Sequence, residues 1–185
     1  VLISGLTEIS ENLIGIISVQ GFFTLDISTG EVFHYGEKNE KQTGLTDRIL
    51  YHICEIEKDL FWIGGKTGFF EFSAVANRFH VIEDEHLCEA SVLGMTEDDQ
   101  GNLWVATRKG LSRIKNFNQA RSEWEYFCYN KSNTPALRNN YMLNVMLIDG
   151  ELWLGYRRLG LARFALTQND NIEILDVPSK LDTLT

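Results

Sequence analysis

The residues whose types and spacing could do chemistry are cations at a recurrent turn. Lys66, the pair Arg108-Lys109 and the pair Arg157-Arg158 each close a short hairpin with apolar arms, and the corresponding earlier turn reads Val19-Gln20. The chain carries a formal net charge of −9, so collecting cations at one repeated position departs from its average. The planar fork of an arginine can hold a carboxylate or sulfate by two parallel hydrogen bonds. Tyr156, next to Arg157, adds a ring on which a ligand could stack. Lys66, Arg108, Lys109, Tyr156, Arg157 and Arg158 are therefore the candidate ligand-binding set. Lysine and arginine at hairpin turns also serve solubility, and that reading stands beside the first.

Other chemistry finds less support. The chain has no nucleophile elbow, zinc-binding histidine pair, Walker loop or dinucleotide fingerprint. No catalytic residue, metal or cofactor is expected, and the chain reads as a non-enzyme. His34 and His80 fall in equivalent outer strands, while His52 lies on an inner strand opposite Gly5 and Gly94. Asp98-Asp99-Gln100-Gly101-Asn102 has the look of a calcium loop, but the equivalent turns lack alternating oxygen ligands, so it reads as a tight turn. Cys54, Cys88 and Cys128 are an odd number without metal-type spacing, and Cys54 and Cys128 sit in apolar strands. Buried free thiols are expected in preference to a disulfide or zinc. The acidic balance disfavours nucleic acid or an anionic membrane as partner. No apolar run reaches the roughly 18 residues of a membrane span, and Val1-Leu2-Ile3-Ser4 lacks the basic flank of a signal peptide.

The turns recur because the elements around them recur. Phe61–Phe69, Leu103–Leu111 and Leu152–Leu161 share one shape: an apolar run with Trp at its second position, a short charged turn, a glycine, and a second apolar run. Ile14–Phe22 is a weaker fourth copy with Gly15 in place of Trp. The anchors Gly15, Trp62, Trp104 and Trp153 lie 47, 42 and 49 residues apart. Val1–Glu8 also aligns without a gap on Ala90–Glu97, and the same offset of 89 continues to Ile14/Leu103 and Gly21/Gly110. Each repeat holds four short β-branched or aromatic runs bounded by Gly, Asn, Asp or Ser, the pattern of strands and turns. No ten-residue segment is helical in period without a turn residue inside it.

Four strands at a period of about 40 to 50 residues give an all-β chain and a β-propeller, each repeat a four-stranded antiparallel blade. A sheet this small has two apolar faces and buries neither alone; stacked blades cover both. The tryptophans supply the area such packing needs. The blades are expected at about 1–44, 45–89, 90–139 and 140–181, all in one propeller segment. Alternation of strand direction puts the cationic turns and the inter-blade loops Gly36–Arg48, Glu83–Glu89 and Asn130–Asn140 at the same strand ends. The opposite ends read Glu57/Asp59, Asp98/Asp99 and Asp149/Glu151. The chain starts on an inner strand and ends after an outer one, so no blade is shared between its termini. A part of a larger propeller is the expectation.

Asp98-Asp99-Gln100-Gly101-Asn102-Leu103-Trp104-Val105-Ala106-Thr107-Arg108-Lys109-Gly110-Leu111 resembles the repeat of the two-component regulator propeller family. Phe127–Asn144 is similar to that family's longer inter-blade loop and following inner strand, and the likeness extends over four units. It implies a ligand-sensing module in the periplasmic, extracytoplasmic part of a bacterial receptor, a hybrid histidine kinase or a diguanylate cyclase. Further implied are a glycan as cue, remaining blades and an output domain elsewhere in the receptor, and a homodimer. An anionic or polar oligosaccharide suits the cationic turns. Two other classes stay open: a protein-interaction scaffold, favoured by a flat aromatic face without a pocket, and a propeller lyase or glycosidase, which needs convergent carboxylates or a His/Tyr/Arg set.

Overall fold

Short β-branched and aromatic runs cut by Gly, Asn and Asp can close only local antiparallel pairs. In the computed structural model of the chain, residues 2–36, 43–82, 86–89, 91–167 and 171–175 are described, and they form four four-stranded sheets in strict sequence order. Blade one is β1 (Ile3–Ser10), β2 (Leu13–Ser18), β3 (Gly21–Asp26) and β4 (Val32–Tyr35). Blade two is β5 (Leu50–Glu57), β6 (Leu60–Gly65), β7 (Phe69–Ser73) and β8 (Arg78–Ile82). Blade three is β9 (Gly94–Glu97), β10 (Leu103–Ala106), β11 (Leu111–Lys115) and β12 (Glu125–Tyr129), with a 3-10 turn at Arg121–Glu123 before its last strand. Blade four is β13 (Met142–Ile148), β14 (Glu151–Tyr156), β15 (Gly160–Leu166) and β16 (Ile172–Leu175). The chain is all-β and built of propeller blades. The starts of the aligned stretches at Val1 and Ala90, the end of the expected fourth blade beyond residue 175, and parts of the loops Gly36–Arg48 and Glu83–Glu89 lie outside the described residues.

The blades group into two compact units, the first holding blades one and two, the second blades three and four. In the first unit Ile17 and Phe22 of blade one pack on Phe61, Ile63, Phe70, Phe72 and Phe79 of blade two. The rings of Phe22 and Phe72 lie 4.9 Å apart. Blade one does without the repeat's tryptophan because that space is filled: a Cβ on Gly15 would meet Ile9 and Phe22 at 3.0 Å. In the second unit Trp104, Leu111 and Tyr129 of blade three pack against Val145, Leu152, Leu154 and Phe164 of blade four. Each large side chain removed from water contributes about 1.5–3 kcal/mol.

Trp104 is fully buried and Trp62 is 5% exposed, as the repeat requires. Trp153 departs from expectation and is only half-buried. It points to the face of β14 opposite Leu152 and Leu154, where its cross-strand neighbour Met146 is 54% exposed. In the first unit Val92 N–H donates to the Gly65 carbonyl at 2.9 Å, and in the second a backbone bond joins the two blades, Met142 N–H donating to the Thr107 carbonyl at 3.0 Å.

The cysteines need a correction. Cys88 and Cys128 form a disulfide with Cα atoms 5.4 Å apart, and Cys54 keeps its thiol. Cys88 precedes blade three and Cys128 lies on its outer strand, 40 residues on. The Cys88 N–H also donates to Ser112 Oγ at 2.8 Å, which holds the segment 86–89 against β11 and brings the two thiols together.

Candidate functional site

Each cationic turn is fixed by its own backbone before any cation is placed. In the β10–β11 turn Thr107 Oγ1 donates to the Gly110 carbonyl at 2.7 Å and accepts from Lys109 N–H at 3.1 Å. Gly110 is at φ +156°, and a Cβ there would lie 2.5 Å from the Tyr129 carbonyl oxygen, so the turn admits glycine alone. It presents Arg108 half-buried and Lys109 exposed. In the β14–β15 turn Arg158 adopts φ 76°, the left-handed region a bulky side chain seldom enters. Arg157 and Arg158 are both exposed there, and Arg138 Nη1 donates to the Leu159 carbonyl at 3.5 Å.

The loop from Asn130 to Tyr141 lies at the same strand ends, between β12 and β13. Its asparagines fold it by side-chain mimicry of turns. Asn130 Oδ1 accepts from Ser132 N–H at 2.9 Å, Asn133 Nδ2 donates to the Cys128 carbonyl at 2.7 Å, and Asn140 Oδ1 accepts from Lys131 N–H at 2.6 Å. Leu137 is buried beneath. Asn139 Oδ1 then accepts from Asn140 N–H at 2.7 Å and Tyr141 N–H at 3.3 Å, which fixes the loop's last residue.

That residue is the centre of the site. The Arg157 guanidinium lies 5.2 Å from the centroid of the Tyr141 ring and that of Arg108 lies 5.9 Å from it. The backbone explains the meeting. Arg157 N–H donates to the Tyr141 carbonyl at 3.3 Å, and the next residue, Met142, donates to Thr107 beside Arg108. Tyr141 is thus wedged between the turns of blades three and four and stays half-exposed. No carboxylate among the described residues pairs with Arg157 or Arg158. Such an arrangement can receive an oxyanion beside a ring.

Of the expected residues, the structure brings Arg108 and Arg157 together on one ring, with Lys109 and Arg158 on the same two turns. Lys66 occupies the equivalent turn of blade two, in the other unit. It is exposed there, and Asp47 Oδ2 holds the turn by accepting from Thr67 N–H at 2.7 Å. Tyr156 is corrected: it is 5% exposed and in the core with Leu152 and Leu154, so it offers no stacking face. Burial pushes its hydroxyl up to about 12, against the lowering effect of the nearby Arg138 backbone and charge. Tyr141 takes the place given to Tyr156.

The acidic turn of blade three is structural. Asp98 is buried, and its carboxylate accepts from Gln100 N–H, Asn102 N–H and Nδ2, and Trp104 Nε1 at 2.8 to 3.0 Å. With its oxygens so engaged, the turn reading holds over the calcium reading. Among the described residues no group of three or more His, Cys, Asp or Glu is arranged to hold a metal ion, and no helix is long and apolar enough to cross a membrane. A cleft of about 350 Å³ lies on blade one around the β1–β2 turn, lined by Leu6, Glu8, Glu11 and Ile14 among others. None of the expected site residues reaches it.

Residues 86–109 match the family described as two component regulator propeller, so blade three carries that repeat, as its sequence indicated. A comparison with curated proteins finds no match. Among solved structures the chain is similar to the extracellular domain of a B. thetaiotaomicron protein assigned to hybrid two component systems, with TM-score 0.74 and 18% identity over 97% of this chain and 25% of that one. It is also similar to an auxiliary nutrient binding protein from Bacteroides thetaiotaomicron, with TM-score 0.62 and 11% identity over 94% of this chain and 41% of that one. A streptogramin B lyase gives TM-score 0.61 and 13% identity over 97% of this chain and 56% of that one. At these identities the likeness establishes the propeller fold. The chain spans a quarter of the length of the hybrid-system domain it matches.

Proposed function

We propose that this chain is a ligand-sensing propeller module in the extracytoplasmic, periplasmic part of a bacterial two-component receptor, and that it receives a glycan or other polar ligand on its cationic turns. The observation that carries this reading is the pair of arginines from successive blades gathered on Tyr141, with Lys109 and Arg158 beside them. Lys66 repeats the turn in blade two. The family repeat in blade three and the likeness to a two-component extracellular domain and a nutrient binding protein support the receptor context. The Cys88–Cys128 disulfide supports an oxidising compartment, since such bonds persist outside the cytosol. Binding without catalysis is the role assigned. The remaining blades, the output domain and the homodimer contact belong to the rest of the receptor.

Calorimetric titration of the 185-residue chain with a panel of neutral and acidic oligosaccharides tests the reading. A saccharide should bind the native chain and bind more weakly to Lys109→Ala and Arg158→Ala. Binding indifferent to both substitutions, or mapped to the acidic turn ends, returns these residues to a role in solubility.

A further inference from the structure

We infer that the seam between blades three and four is an oxyanion site, in which Arg108 and Arg157 on Tyr141 select a carboxylate- or sulfate-bearing sugar over its neutral counterpart. This deepens the reading above and rests on it.

The first support is charge distribution. The three loops that meet at this seam, 107–110, 130–141 and 157–160, carry six of the chain's 17 Lys and Arg and none of its 26 Asp and Glu. In a chain of net charge −9, that concentrates positive potential at one place. The second is geometry. A guanidinium lying over a ring turns its face to the π-system and keeps its in-plane N–H groups for lateral bonds. Arg157 is exposed and has no carboxylate partner among the described residues, so its fork is open to a ligand oxyanion. Arg108, half-buried across the same ring, supplies a second fixed positive charge.

The third support is that the ring belongs to this seam. The residues equivalent to Tyr141 in register, each just ahead of an inner strand, are Ile49 in blade two and Ser91 in blade three. Ile49 makes the same backbone bond, its carbonyl accepting from Lys66 N–H at 3.0 Å, yet gives the cation no aromatic surface. The stitch between strands therefore needs no tyrosine. Tyr141 is explained by what it holds: two long cationic side chains given one ring to lie against, which lowers the ordering cost of binding.

The test uses the 185-residue chain and matched probe pairs: trigalacturonate with its methyl ester, and a sulfated chondroitin disaccharide with its desulfated form. Calorimetry is run at 50 and 300 mM NaCl. Acidic probes should bind at least about 10-fold more tightly than their neutral matches, with the gap narrowing at high salt. Arg157→Gln should lose about 10-fold on the acidic member and leave the neutral one unchanged. Tyr141→Leu should lose affinity for the acidic probe while Tyr141→Phe keeps it, with melting temperatures confirming folded proteins. The carboxylate and sulfate pairs separate the two oxyanion sources. Equal affinity for acidic and neutral members, or an Arg157→Gln variant that binds the acidic probe as the native chain does, overturns the inference and leaves the sensor reading standing. Failure of every saccharide, acidic or neutral, to bind overturns both.

Discussion

Replacing Trp104 by Ala should be among the most destabilising single changes in the chain. The indole is fully buried between blades three and four. Its removal forfeits the transfer energy and leaves a cavity, about 3–5 kcal/mol for a buried Phe or Trp. Two secondary losses push toward the upper end. Asp98 Oδ2 gives up the bond from Trp104 Nε1 at 2.8 Å, and Arg113, 6% exposed with its guanidinium 5.1 Å from the ring centroid, loses the surface it lies on. Trp153→Ala is the internal control: the same residue at the equivalent site, but half-buried, should cost about 1–2 kcal/mol. Trp104→Phe, which keeps an aromatic body and drops the N–H, should fall between, at about 1–3 kcal/mol. Urea denaturation followed by far-UV circular dichroism compares all three without relying on indole fluorescence. Equal losses for Trp104→Ala and Trp153→Ala, or a loss under about 1 kcal/mol for Trp104→Ala, would refute the argument from differential burial.

Thiol titration of the unreduced chain should find one reactive group, Cys54, and full reduction should expose all three cysteines. Cys88→Ser with Cys128→Ser should lower stability by about 4 kcal/mol for the closed loop of 40 residues, measured by urea midpoint. The Tyr156 hydroxyl, held up at about 12 by burial, keeps its proton longer in the folded chain than the ordinary tyrosine value of ~10 allows. The stability tied to it is complete below pH ~10 and is lost as pH rises through about 12, so Tyr156→Phe should flatten the fall in urea midpoint over that window. Tyr35, also raised by burial, adds to the same fall and should leave part of it in that variant. Glu151→Gln breaks an ion pair to Arg163 of 3.3 Å whose partners are both about a third exposed, and should cost under about 1 kcal/mol.

What could be read from the sequence was whatever repeats. The anchors Gly15, Trp62, Trp104 and Trp153, with the offset of 89 that joins Val1–Glu8 to Ala90–Glu97, already implied four copies of one sheet. Trp104 was legible for the same reason. Trp153 was not, because its burial depends on what covers the far face of blade four rather than on its position in the repeat. Cys88 and Cys128 meet through a segment folded back on its own blade, which spacing does not encode. Tyr156 could have been placed: Leu152 and Leu154 are core residues, and strand alternation puts Tyr156 on their side. Tyr141 had a weaker signal, a lone aromatic after two asparagines, where the register-equivalent residues are Ile49 and Ser91. Its partner Arg108 lies in another blade, so the pairing is a tertiary fact.

The bond that joins blades three and four, Met142 to Thr107, runs from main-chain nitrogen to main-chain oxygen. It uses neither the methionine side chain nor that of the threonine, whose hydroxyl is engaged within its own turn. Tandem duplication of a stretch of coding sequence one blade long would therefore bring its own joint with it, already functional, before any substitution adapted the new copy. Adaptation could then proceed at the turns, where Val19, Lys66, Arg108 and Arg157 already put different side chains at one register position. In such a lineage the number of blades and the surface chemistry of each can change independently, and a cue-binding surface can be altered one blade at a time.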